Sequence, residues 1–444
     1  MSIANADRTY SRIIVLEDNV VCKLYVGGNL MNVIYKSCCG IDVHKMKLVA
    51  CLKKGNKQEI KEFGAETKDI KEMAEWLISQ KCEMIAMEST ASYWKPLVNI
   101  FEMKGLDFII INAKEYKNVP GRKTDVLDSE WIADLLKHGL LKPSYIPTRE
   151  QRELREATRY RKSITQERAR ALNRLQKMLE GANIKITSIL ANVTGKTCMS
   201  LIEYVLENES DIDKEQAEKL VTTRISASID DVVNAMEGII TPFQKTMIKE
   251  VIKHINELTD RIEDMNKIID KFMVEYDKNI KKLIKMPGIG KTTAQIILAE
   301  IGQDMSRFPT EGHISSWAGV SPGNNESAGK RRSGKTRKGN KILKSTLAQC
   351  AKSAAKNKNS FFHAQYQRIS IRRGKNRATI AVAHSMLISI YYMLKNDVEF
   401  TELGADFYNK FNTEKKINSY LKKLKDLGWK ELQETDQTKS TKPL

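Results

Sequence analysis

Four acidic side chains stand where strand ends and a helix start would bring them together. Asp42 closes Gly40-Ile41-Asp42, Glu88 closes Ala86-Met87-Glu88, and Asp125 and Asp128 lie in Lys123-Thr124-Asp125-Val126-Leu127-Asp128. The first two sit at or just after short apolar runs suited to buried strands. The i,i+3 spacing of the last two places them on one helical face. Carboxylates this close repel and raise one another's pKa unless hard divalent cations neutralise them. Two Mg2+ ions ~3.5–4 Å apart activate a nucleophile and stabilise the leaving oxygen in phosphodiester cleavage. Asp42, Glu88, Asp125 and Asp128 are therefore the candidate catalytic and metal residues, with Mg2+ as cofactor at two ions per site. A helix dipole accounts for Asp125 and Asp128 without any chemistry, but not for Asp42 or Glu88. Of the six histidines, only His44, beside Asp42, has an active-site position.

A second group is cationic. No acidic residue occurs between Glu326 and Asp397. Within that span, Ser327-Ala328-Gly329-Lys330-Arg331-Arg332-Ser333-Gly334-Lys335-Thr336-Arg337-Lys338-Gly339 reads as a flexible loop of small residues and cations. Backbone amides and cations hold phosphates, and glycine permits close approach. Lys330, Arg331, Arg332, Lys335, Arg337 and Lys338 are the candidate nucleic-acid contacts. A serine among such cations can attack phosphorus while they stabilise the transition-state charge; composition alone does not choose between Ser327 and Ser333. Gly290-Lys291-Thr292 looks like the end of a nucleotide-binding loop, but Lys285 occupies the required earlier glycine. Pro287-Gly288-Ile289-Gly290 before a helix better suits a hairpin whose amides, at Gly288 and Gly290, grip a DNA phosphate.

These residues need a frame. Cys38–Val43, Leu48–Lys53 and Gln58–Phe63 read as three successive strands, Lys68–Ser79 as a helix, and Met84–Met87 and Phe108–Ile111 as buried strands. Asp125–His138 reads as a helix closed by Gly139. Three strands followed by alternating helices and strands is the order of an RNase H-like fold. Thr148 to Asn183 is a long arginine-rich helix, and 184–240 a small helical insertion. Ile248, Val251, Ile255, Leu258, Ile262, Met265, Ile269 and Phe272 form an a/d seam. That seam pairs either with the earlier helix or with another subunit; as a subunit contact it would hold a dimer or tetramer together. The expected divisions are 1–37, an extension with no assigned role; 38–147, an α/β catalytic domain; 148–284, a helical coiled-coil linker; 285–396, a mainly helical domain; and 397–444, a helical segment and tail.

At 444 residues the chain exceeds one ordinary core. Its 74 Lys and Arg against 55 Asp and Glu leave a charge of +19, which favours a polyanionic partner through counterion release. Seven scattered cysteines with no CxxC argue against a disulfide framework or a zinc site. With no run near the ~18 apolar residues of a membrane span and no signal-peptide pattern, a cytoplasmic protein without membrane contact is expected.

In combination, GIDVHK, AMEST, KTDVLD, a long helical linker and MPGIG…F…WAGVSPGNNESAGK resemble the DEDD-type insertion-sequence transposases, the bridge-RNA-guided recombinases. The resemblance runs from about Cys39 to Ala378. It implies an RNase H-like (RuvC-like) N-terminal domain and a C-terminal transposase domain, with Asp42, Glu88, Asp125 and Asp128 as the metal tetrad. Ser327, after Pro322-Gly323-Asn324-Asn325-Glu326, falls at the family's nucleophilic serine. The family usually carries Gly directly after the serine or one residue later; here Ala328 precedes Gly329, a mild departure. The resemblance further implies donor and target DNA, a noncoding bridge RNA and a tetramer whose subunits share sites. The rival expectations are a RuvC-like nuclease acting on branched DNA, which needs no protein nucleophile, and a non-catalytic nucleic-acid-binding protein, which needs no tetrad.

Overall fold

A computed structural model of the protein describes residues 25–26, 29–30, 33–112, 125–208, 212–222, 225–323, 325–327, 330–336, 338–410 and 413–428. The chain divides into two compact units, Met1–Arg149 and Glu150–Leu444. The stretches read from sequence as linker and C-terminal domain thus fall in one unit.

The first unit is built on a mixed five-stranded sheet. A short ladder, β1 (Tyr25–Val26) with β2 (Asn29–Leu30), precedes it. The sheet strands are β3 (Ser37–Val43), β4 (Lys47–Lys54), β5 (Lys57–Gly64), β6 (Met84–Glu88) and β7 (Phe108–Ile111), in the order β5-β4-β3-β6-β7. β3, β4 and β5 are antiparallel neighbours, whereas β6 and β7 join parallel to β3 and to each other. The parallel joins need crossovers, and the helices α1 (Thr67–Ser79) and α2 (Trp94–Lys104) supply them. The central strand β3 is buried along its whole length, so its sequence is nearly continuous apolar rather than alternating. The edge strand β5 is the most charged, which blunts pairing with other chains.

Each face of the sheet buries a different set of side chains. Cys39, Ile41, Val43, Leu48, Ala50 and Leu52 pack under Ile70, Met73 and Leu77 of α1 and Leu97, Val98 and Phe101 of α2. The opposite face, with Cys38 and Ala86, lies under Ile132 and Leu136 of α3 (Asp125–Lys137). Burying each such Ile or Leu contributes about 1.5–3 kcal/mol.

The second unit is helical. α4 (Arg149–Gly181) leads into α5 (Ile186–Ile189), α6 (Lys196–Glu207), α7 (Lys214–Leu220), α8 (Ile229–Met236) and α9 (Pro242–Phe272). α9 starts cleanly because Thr241 and Gln244 form a reciprocal capping box with Pro242 at the first helical position. Its seam is occupied within the chain: Ile248, Val251, Ile255 and Leu258 share one core with Ile164, Ala171, Leu175 and Leu179 of α4. Of the two partners that the pattern leaves open, the core supplies the earlier helix. A heptad pattern specifies that a face is buried, not which helix buries it. Only the far end opens out, with Phe272 65% exposed.

The unit continues with α10 (Asp277–Ile284), α11 (Lys291–Ile301), α12 (Glu311–Ala318), β8 (Asn325–Ser327), β9 (Lys330–Ser333), α13 (Lys341–Ala354), α14 (Phe361–Arg373), α15 (Lys375–Lys395), α16 (Phe407–Lys410) and α17 (Thr413–Asp426). α15 is the one described helix with the length and apolarity of a membrane span. Ala378, Val382, Met386, Leu387 and Ile390 along it are fully buried, as befits a core helix.

Candidate active site

Asp42 and Glu88 are brought together by strand register. β3 and β6 pair Cys39 with Ile85, Gly40 with Ala86 and Ile41 with Met87; one step on, Asp42 lies beside Glu88. Both sit at the C-terminal ends of parallel neighbours, on the face that α3 covers, and both are buried. Asp128 projects from the first turns of α3 and is half-buried. Asp125 is the first residue of α3, and its side chain lies outside the described residues, as do Lys123 and Thr124.

What places Asp128 over the strand ends is the close seating of α3. A Cβ on Gly40 would stand 2.3 Å from the Ser129 carbonyl oxygen and 2.4 Å from the Ala133 nitrogen. Glycine is therefore required for the helix backbone to rest on the strand. Farther along the same face, Lys53 Nζ donates to Asp134 Oδ1 at 2.6 Å, with Glu130 Oε1 at 3.7 Å. Lys53 and Asp134 are both buried, so the pair ties β4 to α3 at the end remote from Asp42. The sequence reading passed over these anchors. Their signal was a lysine ending an apolar strand run and acids four apart on one helix face.

Electrostatics record the convergence. Burial pushes the Asp42 carboxyl above its ordinary range, and Asp128 and Glu88 push the same way, while His44 opposes them. His44 Nε2 lies 3.0 Å from Asp42 Oδ2. Among the described residues, which leave out the Asp125 side chain, no three His, Cys, Asp or Glu side chains are close enough to hold a metal ion. The loop after Glu88 is held tightly: Ser89 donates its N–H to the Ile111 carbonyl at 3.0 Å. Ala91 in that loop takes a left-handed φ of 47°.

Where it is described, the backbone of the cationic segment pairs as two strands rather than running as a loop. β8 and β9 pair antiparallel, Ser327 opposite Lys330, Glu326 opposite Arg331 and Asn325 opposite Ser333, with an irregularity at Asn325/Glu326. Ser327 thus stands at the turn end of the hairpin and Ser333 at its base. The side chains of 324–333 and residue Arg337 lie outside the described residues. Below the hairpin, Pro322 bridges to Thr336 and Gly323 donates to the Lys335 carbonyl at 2.9 Å. Asn340 caps α13 and donates through Nδ2 to Glu300 at 2.6 Å. Lys335 and Lys338 are exposed.

Glu300 is fully buried and anchors α4 as well. Arg159 grips it through two bonds of 2.7 and 2.9 Å, and Arg155 Nε lies 3.4 Å away. Arg161, also buried, donates to Asn266 and Gln295. Much of the arginine content of α4 is therefore spent inside the unit, which composition could not reveal. Gly288 has an internal role too: with φ +84°, its missing Cβ makes room for the Cys350 carbonyl oxygen at 2.4 Å. Gly290 is exposed and caps α11.

Family models meet this geometry at both places. An IS110 DEDD transposase model matches residues 39–184, spanning all four acids. A model described as transposase IS116/IS110/IS902 family matches residues 280–367, spanning Gly288 to the β8–β9 hairpin. Together they cover more than half of the chain. The chain belongs to the IS110-type transposases. It is a DNA transposase of an insertion sequence, and DNA is its substrate. No curated protein matches it.

Proposed function

We propose that the protein cuts and rejoins donor and target DNA with two catalytic elements, a Mg2+-dependent carboxylate site in an RNase H-like first unit and the serine Ser327 in the second. The observation that carries this reading is the register that sets Asp42 beside Glu88 at the strand ends under the acid-bearing start of α3. The sheet supports the RNase H-like assignment, with three antiparallel strands followed by two parallel ones. Oxygen donors from carboxylates are the ligands hard cations take, and the strain on Asp42 is of the kind such a charge relieves. Asp42, Glu88, Asp125 and Asp128 would hold the ions. When bound, they supply charge neutralisation at the reacting phosphate. His44 holds Asp42 in place through their hydrogen bond.

At the other element, Ser327 Oγ bonds to phosphorus while one P–O bond of the strand breaks. Its proton passes to the departing oxygen, which leaves as a hydroxyl. The phosphoserine conserves the ester, and a strand hydroxyl attacking it restores the serine and seals the joint. Lys330, Arg331 and Arg332 stabilise the charge that develops on phosphorus, and Lys335, Arg337, Lys338 and the Gly290 amide hold the flanking backbone. A bridge RNA selects the DNA, and a homo-oligomer assembles the sites.

Asp42→Ala or Asp125→Ala should abolish strand cleavage while RNA binding persists, because carboxylates repel phosphates and serve only the cation. Measured with Mg2+ present, full recombination by either variant would refute the carboxylate site.

A further inference from the structure

The second unit holds another concentration of cations, beyond the hairpin and beyond the family match. α14 ends at Arg373, Gly374 breaks the helix with φ +84°, and α15 begins at Lys375. Arg368, Arg372, Arg373, Lys375 and Arg377 are all exposed around this corner. Among the described residues their contacts are few. Arg368 lies over the Tyr408 ring at 4.8 Å, and Arg372 Nε donates to the Arg368 carbonyl at 3.4 Å. The first acids along the chain are engaged elsewhere: Asp397 with Lys278 and Lys282, Glu399 with Lys285.

Helix stability does not account for the pattern. Arg372 and Arg373 complement the dipole in the last turn of α14, but Lys375 and Arg377 occupy the first turn of α15, where no acid is present. Cations there oppose the dipole. Mutual repulsion across the one-residue break adds to that cost. Ile371, 83% exposed amid the charges, has no packing role to justify it. A polyanion lying across the corner would relieve the repulsion and cover the isoleucine.

We infer that this corner is a further nucleic-acid contact that takes the phosphodiester backbone, an inference that rests on the DNA-joining function proposed above. Its chemistry suits duplex DNA and single-stranded RNA alike, and separate duplex and RNA probes distinguish them. Each phosphate contact contributes about 0.9 to the log–log salt slope on duplex DNA and about 0.7 on a single strand.

The test measures binding of the full-length protein to labelled duplex DNA and single-stranded RNA across a salt series. Arg372→Ala/Arg373→Ala/Lys375→Ala/Arg377→Ala should lower the slope by about 3 to 4 on the duplex, or about 2 to 3 on RNA. The probe that shows the loss identifies the ligand. Lys375→Gln/Arg377→Gln should lose about half as much slope and melt no lower than wild type, which keeps the test clear of misfolding. The control Lys249→Ala/Lys253→Ala/Arg261→Ala/Lys271→Ala removes equal charge from exposed positions of α9, among acids, and should leave the slope unchanged. Unchanged slopes in both corner variants, or an equal loss in the control, would overturn the corner while leaving the function standing. A wild-type protein that binds neither probe would overturn both.

Discussion

Gly40 shows how one residue can set a site from outside its chemistry. It lies two positions before Asp42, and its missing side chain lets α3 settle onto β3 so that Asp128 stands over the strand ends. Gly40→Ala should drive the helix off the sheet at a cost of about 1–3 kcal/mol and reduce cleavage far more than that loss of stability implies. Thermal melting and a cleavage assay check this; a variant that melts and cleaves like wild type contradicts the seating described. That Asp42 and Glu88 fall at strand ends was legible in the sequence, because a polar residue ending an apolar run is conspicuous. Gly40 and Lys53 were not. A strand glycine signals close backbone approach, but nothing in a sequence says which backbone approaches.

At the level of elements, periodicity gave faces and left partners open. The strands and α3 fall within a residue or two of where alternation and apolar runs put them. The a/d seam of α9 was equally plain, yet both an internal and an external partner satisfied it. The core shared with α4 decides for the internal one. Ile255→Ala should therefore cost about 2–5 kcal/mol, lowering the melting temperature while the folded protein keeps its mass in light scattering. A stable protein of reduced mass would restore the seam to a subunit contact. The hairpin illustrates the opposite error. Glycines, serines and cations suggested a loop, whereas backbone pairing of β8 with β9 overrides weak strand propensity. The arginines of α4 show the same limit, since a buried carboxylate such as Glu300 claims cations whose place composition leaves open.

Over the whole molecule, the charge of +19 is unevenly placed. Asp42 and Glu88 end neighbouring strands of the first unit, while the second carries a run from Ser327 to Asn396 with no acid at all. This separation suits a protein that needs cations against phosphate in one place and carboxylates for a metal in another. It also fits joining DNA without an external energy source, because a serine ester retains what hydrolysis would discard. Ser327 is the residue on which that account turns: it stands at the turn end of the hairpin, opposite Lys330, while Ser333 sits at the base. The most direct measurement is recovery of a denaturant-stable protein–DNA adduct, followed by mass-spectrometric mapping of the modified residue. The adduct should form in wild type and Ser333→Ala, map to Ser327, and vanish in Ser327→Ala. An adduct that persists in Ser327→Ala and maps to Ser333 would move the nucleophile, and normal recombination by the double variant would remove serine catalysis from this protein.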